Sequence, residues 1–330
     1  MMDYEIFKAV VKEKFLSYLP EEYRDAVVDI RPALKVNRTL DGLTVHKSGD
    51  FRIFPTVYVN DMYENYQSCD DLETVLLQVA GQYAKVLGSV KDYKPDIDME
   101  HFKDNVVMCL VNTEQNKDLL AGTPNREFQD LSVIYRWVVD QSPDALGSVI
   151  VSDKLAEAAG MTEEELFQCA CRNTRRISPV SIMTMQEVMF ELMSMPPEMR
   201  GMFVQEENPS ESMWIISNER RINGAVSMLY EENLHQLAEK VGDDLFILPS
   251  SIHEVIAIPA GMAAGNMKHL LEMVHDINMG ELELGERLSN SVYHYDRNAR
   301  TVILAAESPE KRLDGKQAEL PLIQEEKKTR

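Results

Sequence analysis

The chain has 330 residues, of which 44% are hydrophobic and 27% charged. That is ample apolar material for one or more large cores, about two domains by length, so no disulfide or metal staple is required. The formal net charge of −21 gives a surface that repels phosphate backbones and anionic headgroups, which counts against nucleic acid and membranes as partners.

The charge is unevenly placed. After Ala306, the acids Glu307, Glu310, Asp314, Glu319, Glu325 and Glu326 are matched by the bases Lys311, Arg312, Lys316, Lys327, Lys328 and Arg330. The acidic excess therefore belongs to residues 1–306. The start, MMDYEIFKAVVKEKF, lacks the basic flank and continuous apolar core of a signal peptide. No window reaches the roughly 18 apolar residues that a membrane span needs. Cys69, Cys109, Cys169 and Cys171 are spread along the chain, and the close pair falls two apart in a helical run. Residues two apart diverge on a helix, so free thiols and a cytoplasmic location are expected.

In chain order, Phe7, Val11, Phe15 and Tyr18 mark an amphipathic helix closed by Pro20. The runs VVDIRPALKV, GLTVHK and IFPTVYVN read as strands, broken by Asn37, Gly42 and the cluster Lys47–Asp50. A long helix follows behind Asp70–Asp71, with Leu72, Val75, Leu76, Val79, Tyr83, Val86 and Leu87 on one side. The polar run VKDYKPDIDM marks a linker near residue 95. Beyond it, strands are expected at Val106–Val111, Leu131–Val139 and in GSVIVS, with a short helix after the first and a helix in DKLAEAAG. A second helix begins at Thr162, where Glu165 three residues on completes a capping-box pattern. A helix at Glu187–Met193 gives way to a loop around 195–210. MWIIS, LFIL and EVIAI then read as strands. Val226, Tyr230, Leu234, Leu237 and Val241 share a helical face that ends at Gly242. Met267, Leu270, Leu271, Val274 and Ile277 share another, stopped at Asn278–Gly280. The hairpin SVYHYD–RNA–RTVIL closes the folded part, and a disordered tail is expected from Glu307.

These elements divide the chain into an N-terminal α+β domain (1–95), a middle α+β segment (96–210), a C-terminal α+β segment (211–306) packed with the middle one, and the tail (307–330). Hairpin-then-helix recurs at Leu43–Leu87, Ile134–Thr174 and Leu245–Ile277. The expected class is α+β, with antiparallel sheets, helices packed on one face, and repeated ββα units as a weak pattern. Hairpin-length gaps between strands argue against a doubly wound parallel sheet.

The phrase LPSSIHEVIAIP, preceded by ENLHQLAEKVGDDLFI and followed by ERLSNSVYHYDR, resembles an uncharacterised bacterial family, domain of unknown function 5688. FKAVVKEKFLSYLPEEYRDAVVDI, GLTV, FPTVYVNDMYENY and CRNTRRISP carry the same resemblance over nearly the whole chain before the tail. The layout of the middle and C-terminal parts is also similar to the YtpQ-like proteins, in which a helix, a strand, a short polar turn, a strand and a final helix follow one another. The resemblance implies a cytoplasmic protein of Firmicutes and carries over no catalytic residue.

The residues themselves offer few sites. Ser250, Ser251, His253 and Glu254 supply a nucleophile, a base and an acid, but neighbours on an extended segment diverge. His253 would align with Val255 and Ala257, and Glu254 with Ile252 and Ile256. A turn with its hydroxyls on nearby backbone is the better reading of Pro249–Ser251, and no GxSxG elbow is present. In YHYDR, Tyr293 and Tyr295 would share one face and His294 and Asp296 the other, as an aromatic pair with an aspartate at a turn. His269 and Glu272, three apart, are the best-spaced candidate metal ligands, joined by His275 and Asp276, but a solvated helix face uses the same letters. Phosphate-loop motifs are absent, and Gly261 with Gly265 is only an isolated pair. Arg172, Arg175 and Arg176, with Arg136, suit a helix C-terminus. The 19 methionines are dense from Met183 to Met202, as in core filling or an adaptable docking surface.

The expected function is therefore a non-enzymatic, cytoplasmic protein-interaction or binding protein without cofactor. Its docking surface would be the methionine-rich segment and the loop around Pro196–Pro197. The second reading is a hydrolase or transferase built on His253 and Glu254, with Tyr293, His294 or Asp296 brought close by the final hairpin.

Overall fold

The computed structural model describes residues 1–46, 55–90, 101–141, 146–196, 198–200, 208–249, 251–263 and 265–315. The expected turn at Lys47–Asp50, the linker near residue 95, Pro197, Met202, Ser250 and the last fifteen residues lie outside the described residues. The chain divides into two compact units, Met1–Ile97 and Asp98–Arg330.

In the first unit, α1 (Tyr4–Lys14) starts at Asp3, whose carboxylate accepts the Glu5 N–H. Strands β1 (Val27–Lys35) and β2 (Arg38–His46) form a hairpin whose tight turn contains Asn37 at φ 64°. Pro32 is tolerated because β1 is an edge strand. A short β3 (Val57–Tyr58) pairs with β2. Two helices follow, α2 (Val59–Cys69) and α3 (Leu72–Val90), the latter capped by Asp71. Phe7, Val11, Phe15, Val28, Leu43, Val45, Met62, Leu76 and Tyr83 make the core. Tyr83 satisfies its buried hydroxyl twice, accepting from Val45 N and donating to Pro55 O, each at 2.8 Å. The strand expected over IFPTVYVN is thus only two residues long within the described part, because Val59 already begins α2.

The second unit holds α4 (Phe102–Asn105), β4 (Val106–Asn112), α5 (Lys117–Leu120), β5 (Asn125–Phe128), β6 (Leu131–Gln141), β7 (Leu146–Ile150), α6 (Asp153–Ala158) and α7 (Glu163–Ile177). Then come β8 (Val180–Thr184), α8 (Met185–Leu192), β9 (Trp214–Asn218), α9 (Glu231–Val241), β10 (Leu245–Leu248), β11 (Val255–Pro259), α10 (Ala260–Ala263), α11 (Met267–Gly280), β12 (Val292–Asp296) and β13 (Thr301–Ala306). Every strand pairing is antiparallel. One sheet has β6 at its centre, joined by β4, β5 and β7. The other runs β13-β12-β10-β11-β9-β8. The fold is α+β, as the hairpin spacing predicts.

Two features of this unit position everything else. The edge of β4 is closed by side chains of α7: Thr174 accepts the Met108 N–H at 3.0 Å, and Asn173 donates to Val106 O at 3.0 Å. The capping box that starts α7 is present as expected at Thr162 and Glu165. The six-stranded sheet is covered on both faces rather than one. Trp214, Ile216, Ile247, Ala257, Tyr293 and Tyr295 face a core shared with β4, β6, α7 and α9, while Ile215, Leu248, Ile256 and Val292 face α8 and α11. Residues 307–315 also correct the expectation of a disordered tail from Glu307. Leu313 is fully buried, its N–H is taken by Gln115 Oε1, and its carbonyl accepts from Arg287.

Candidate functional site

The polar cluster at residues 251–254 is a turn that precedes β11. Ser251 Oγ accepts the N–H of His253 at 2.9 Å and of Glu254 at 3.2 Å, while Ser251 N donates to Glu254 O at 3.1 Å. The hydroxyl-to-backbone turn is therefore present at Ser251, but the strand alternation expected of His253 and Glu254 is not, because β11 starts only at Val255. The His253 ring is half-buried. Its Nδ1 accepts the Asn223 N–H at 3.2 Å, and Nε2 lies 4.0 Å from Glu286. The His253 carbonyl accepts from Ser217 Oγ at 2.7 Å.

The strand registers keep this turn away from the final hairpin. Tyr293 is opposite Ile247, and Ile247 is opposite Ala257. Ala257 is thus two strands away from Tyr293, about 10 Å, and His253 lies beyond the start of β11 at Val255. Asp296 lies farther from it still. The hairpin residues hold partners of their own. Tyr293 is fully buried and donates to Asp130, which also accepts from Ser289 Oγ at 2.6 Å. Burial, reinforced by the Asp130 charge, holds the Tyr293 hydroxyl well above its ordinary range, so it remains a proton donor. Tyr295 donates to Glu231 at 3.1 Å. His294 Nε2 faces Asp244 at 3.2 Å, on the opposite side of the strand. Asp296 Oδ1 accepts from Ala299 N and Asn298 N at 2.8 Å each, and these bonds lower its carboxyl pKa. The hairpin is a tyrosine-faced ladder closed by an aspartate turn.

His269 and Glu272 lie on the exposed side of α11, where Glu272 pairs with Lys268 at 3.4 Å and His275 faces Glu310 at 3.8 Å. Among the described residues no three His, Cys, Asp or Glu side chains are grouped to hold a metal ion. The arginines go separate ways: Arg136 to Ser148, Arg172 to Cys169, Arg175 to Glu232 and Arg176 to the Asp104 carbonyl. They do not converge on one anion site.

Two surfaces stand out instead. The first is at the end of α8, which begins with a capping box at Thr184 and Glu187. Met185 and Val188 pack against the core and Phe190 is buried. The opposite side exposes Met189 by 53%, Leu192 by 73% and Met193 by 65%, followed by Met199 at 47%. Three exposed apolar side chains at the end of one helix, with a fourth soon after it in the chain, make a surface of the kind that marks interaction sites.

The second is a cleft of about 290 Å³ between the β5–β6 hairpin, α7, the turn before α9 and the β12–β13 hairpin. Phe128, Phe167, Leu229 and Val302 form half-exposed apolar walls over buried Val133, Met228, Leu234 and Tyr295. Its polar rim is made of Arg126, Glu127, Glu231 and Arg300. Arg126 stacks 3.9 Å over Phe167 and gives Nε and Nη2 to Glu163, at 3.1 and 2.8 Å. Arg300 gives Nε and Nη2 to Glu231 in the same side-on manner. Its hydrogen bonds to Glu231 lower that carboxyl pKa. The residues of the cleft come from four separated stretches, and Arg126 and Glu231 carried no motif that sequence reading would single out.

Comparison with known proteins finds no curated protein and no solved structure that matches the chain. One family model does match, over residues 4–297: "Family of unknown function (DUF5688)". That span covers nearly all of the first compact unit, most of the second and, among the described residues, every strand except β13, and the chain belongs to this family.

Proposed function

We propose that this is a non-enzymatic protein-interaction protein that docks a partner on the methionine-rich end of α8. The observation that carries this reading is the outward group Met189, Leu192 and Met193 at the end of a helix whose other side is already packed, with exposed Met199 following in the chain. Unbranched thioether side chains adapt to a partner's surface at small cost. Glu191, paired with Arg221, and Glu198 lie in the same stretch, and the chain carries a net charge of −21. The partner surface that fits is an apolar face flanked by basic residues, and the same charge disfavours nucleic acid. The setting is the bacterial cytoplasm, in Firmicutes, supported by the family resemblance and by four free cysteines.

The test places a photo-reactive residue at position 192, with one at exposed position 77 as control. Crosslinking in cells is expected to give a discrete adduct from position 192 alone. That adduct should vanish with the companion substitutions Met189→Gln, Met193→Gln and Met199→Gln, which touch exposed side chains and leave the fold intact. An adduct unchanged by the three substitutions rejects the surface.

A further inference from the structure

We infer that the cleft between the β5–β6 hairpin and the β12–β13 hairpin binds a small hydrophobic ammonium compound, with an aromatic or branched body inside and one positive head at the rim. The site is separate from the α8 surface and stands or falls without it. At about 290 Å³, the space holds roughly ten non-hydrogen atoms, taking about 30 Å³ for each. Its lining is apolar, with Phe128, Phe167 and Tyr295 contributing rings, so the body of the ligand is apolar too.

The rim decides the sign of the head group. At the rim, the guanidiniums of Arg126 and Arg300 stand with the carboxylates of Glu127 and Glu231, and outside the lining Glu163 and Glu164 both pair with Arg126. Glu231 matches Arg300, and two glutamates share Arg126, which leaves one carboxylate charge in excess there and Glu127 as a second. The local surplus is therefore negative, and an anionic ligand would meet repulsion where an ammonium meets attraction. The walls are also set before any ligand arrives. Gln129, at φ 58° in the β5–β6 turn, reaches the Val302 carbonyl at 3.4 Å, and Tyr295 is tied to Glu231. A pre-set cleft spares the ligand part of the ordering cost.

The test uses three ligands of nearly equal size: 2-phenylethylamine, 2-phenylethanol and phenylacetate. Binding is followed by the methyl resonances of Met228, Leu229, Leu234 and Val302 in the full chain. A compound of this size is expected to bind with a Kd on the order of 1 mM. The ammonium compound should bind about tenfold more tightly than the carboxylate, with the alcohol between them. Glu127→Gln combined with Glu164→Gln should bring the amine down to the alcohol's affinity. Val302→Trp, or Leu229→Trp should the first not fold, should abolish binding by filling the cleft. Equal affinity for amine and carboxylate overturns the charge assignment. Absence of methyl shifts with all three compounds, or undiminished shifts in a folded filled variant, overturns the site.

Discussion

Tyr230 shows how a single buried atom can be out of balance with its surroundings. Its ring is 2% exposed and lies beneath the Arg175 guanidinium at 4.3 Å, yet its hydroxyl, with Thr174 and Arg175 close by, makes no hydrogen bond of good geometry. The neighbouring Thr174 hydroxyl is already committed, donating to Ala170 O and accepting from Met108 N. A buried hydroxyl without a partner has lost its water for nothing, at a cost of about 1–3 kcal/mol. Tyr230→Phe keeps the ring and removes the penalty, so it should raise stability by about 1 kcal/mol, read as a higher urea midpoint at unchanged slope. Destabilisation by a similar amount would mean that the hydroxyl is bonded after all. Asp130 is the opposite case, satisfied by Tyr293 and Ser289 from 163 and 159 residues away. Tyr293 was a visible candidate in the sequence, but its partner was not. Asp130 sits in an unremarked turn, and only tertiary packing selects it from 55 acidic residues.

At the scale of elements, local chemistry was legible wherever it is self-contained. The Thr162–Glu165 capping box, the glycine stop at Gly242 and the Asp296 turn each involve residues within a few positions of one another. Strand β8 escaped notice because its five residues follow Pro179 and merge into the methionine run, and their pattern only makes sense beside β9. Helix α2 escaped because the β-branched and aromatic start VYVN reads as strand. The turn from Asn223 to Tyr230 depends on close approach. A Cβ added at Gly224 would stand 2.3 Å from Ser217 Oγ and 2.4 Å from the His253 carbonyl oxygen. Those two atoms are hydrogen-bonded to each other, so neither can yield without breaking a tie between β9 and the 251–254 turn. Gly224→Ala should therefore destabilise the second unit by at least about 2–3 kcal/mol. A loss below about 0.5 kcal/mol in urea unfolding would show that this junction is loose.

Across the whole molecule, the two compact units differ in how alkaline pH should affect them. In the second unit, burial pushes the hydroxyls of Tyr135, Tyr230, Tyr293 and Tyr295 upward, those of Tyr230 and Tyr295 to about 12. The unfolded chain releases such protons near pH 10, its ordinary value. Above about pH 10 the folded unit holds protons that the unfolded chain has lost, so stability is fully present below that pH and falls as pH rises through it. Each such phenol contributes about 1.4 kcal/mol per pH unit, or up to about 5 kcal/mol per unit for four together. Against a typical domain stability of about 5–15 kcal/mol, a loss of up to about 10 kcal/mol by about pH 12 removes most of the unit's stability. In the first unit Tyr83 is raised to about 12 and Tyr4 is raised as well, so its decline should be shallower. The measurement is direct, because both tryptophans, Trp137 and Trp214, belong to the second unit. Their fluorescence should hold steady to about pH 10 and then change in one cooperative step, accompanied by a jump in phenolate absorbance. Gradual ionisation of all twelve tyrosines around pH 10, with the tryptophan signal unmoved, would refute the assignment.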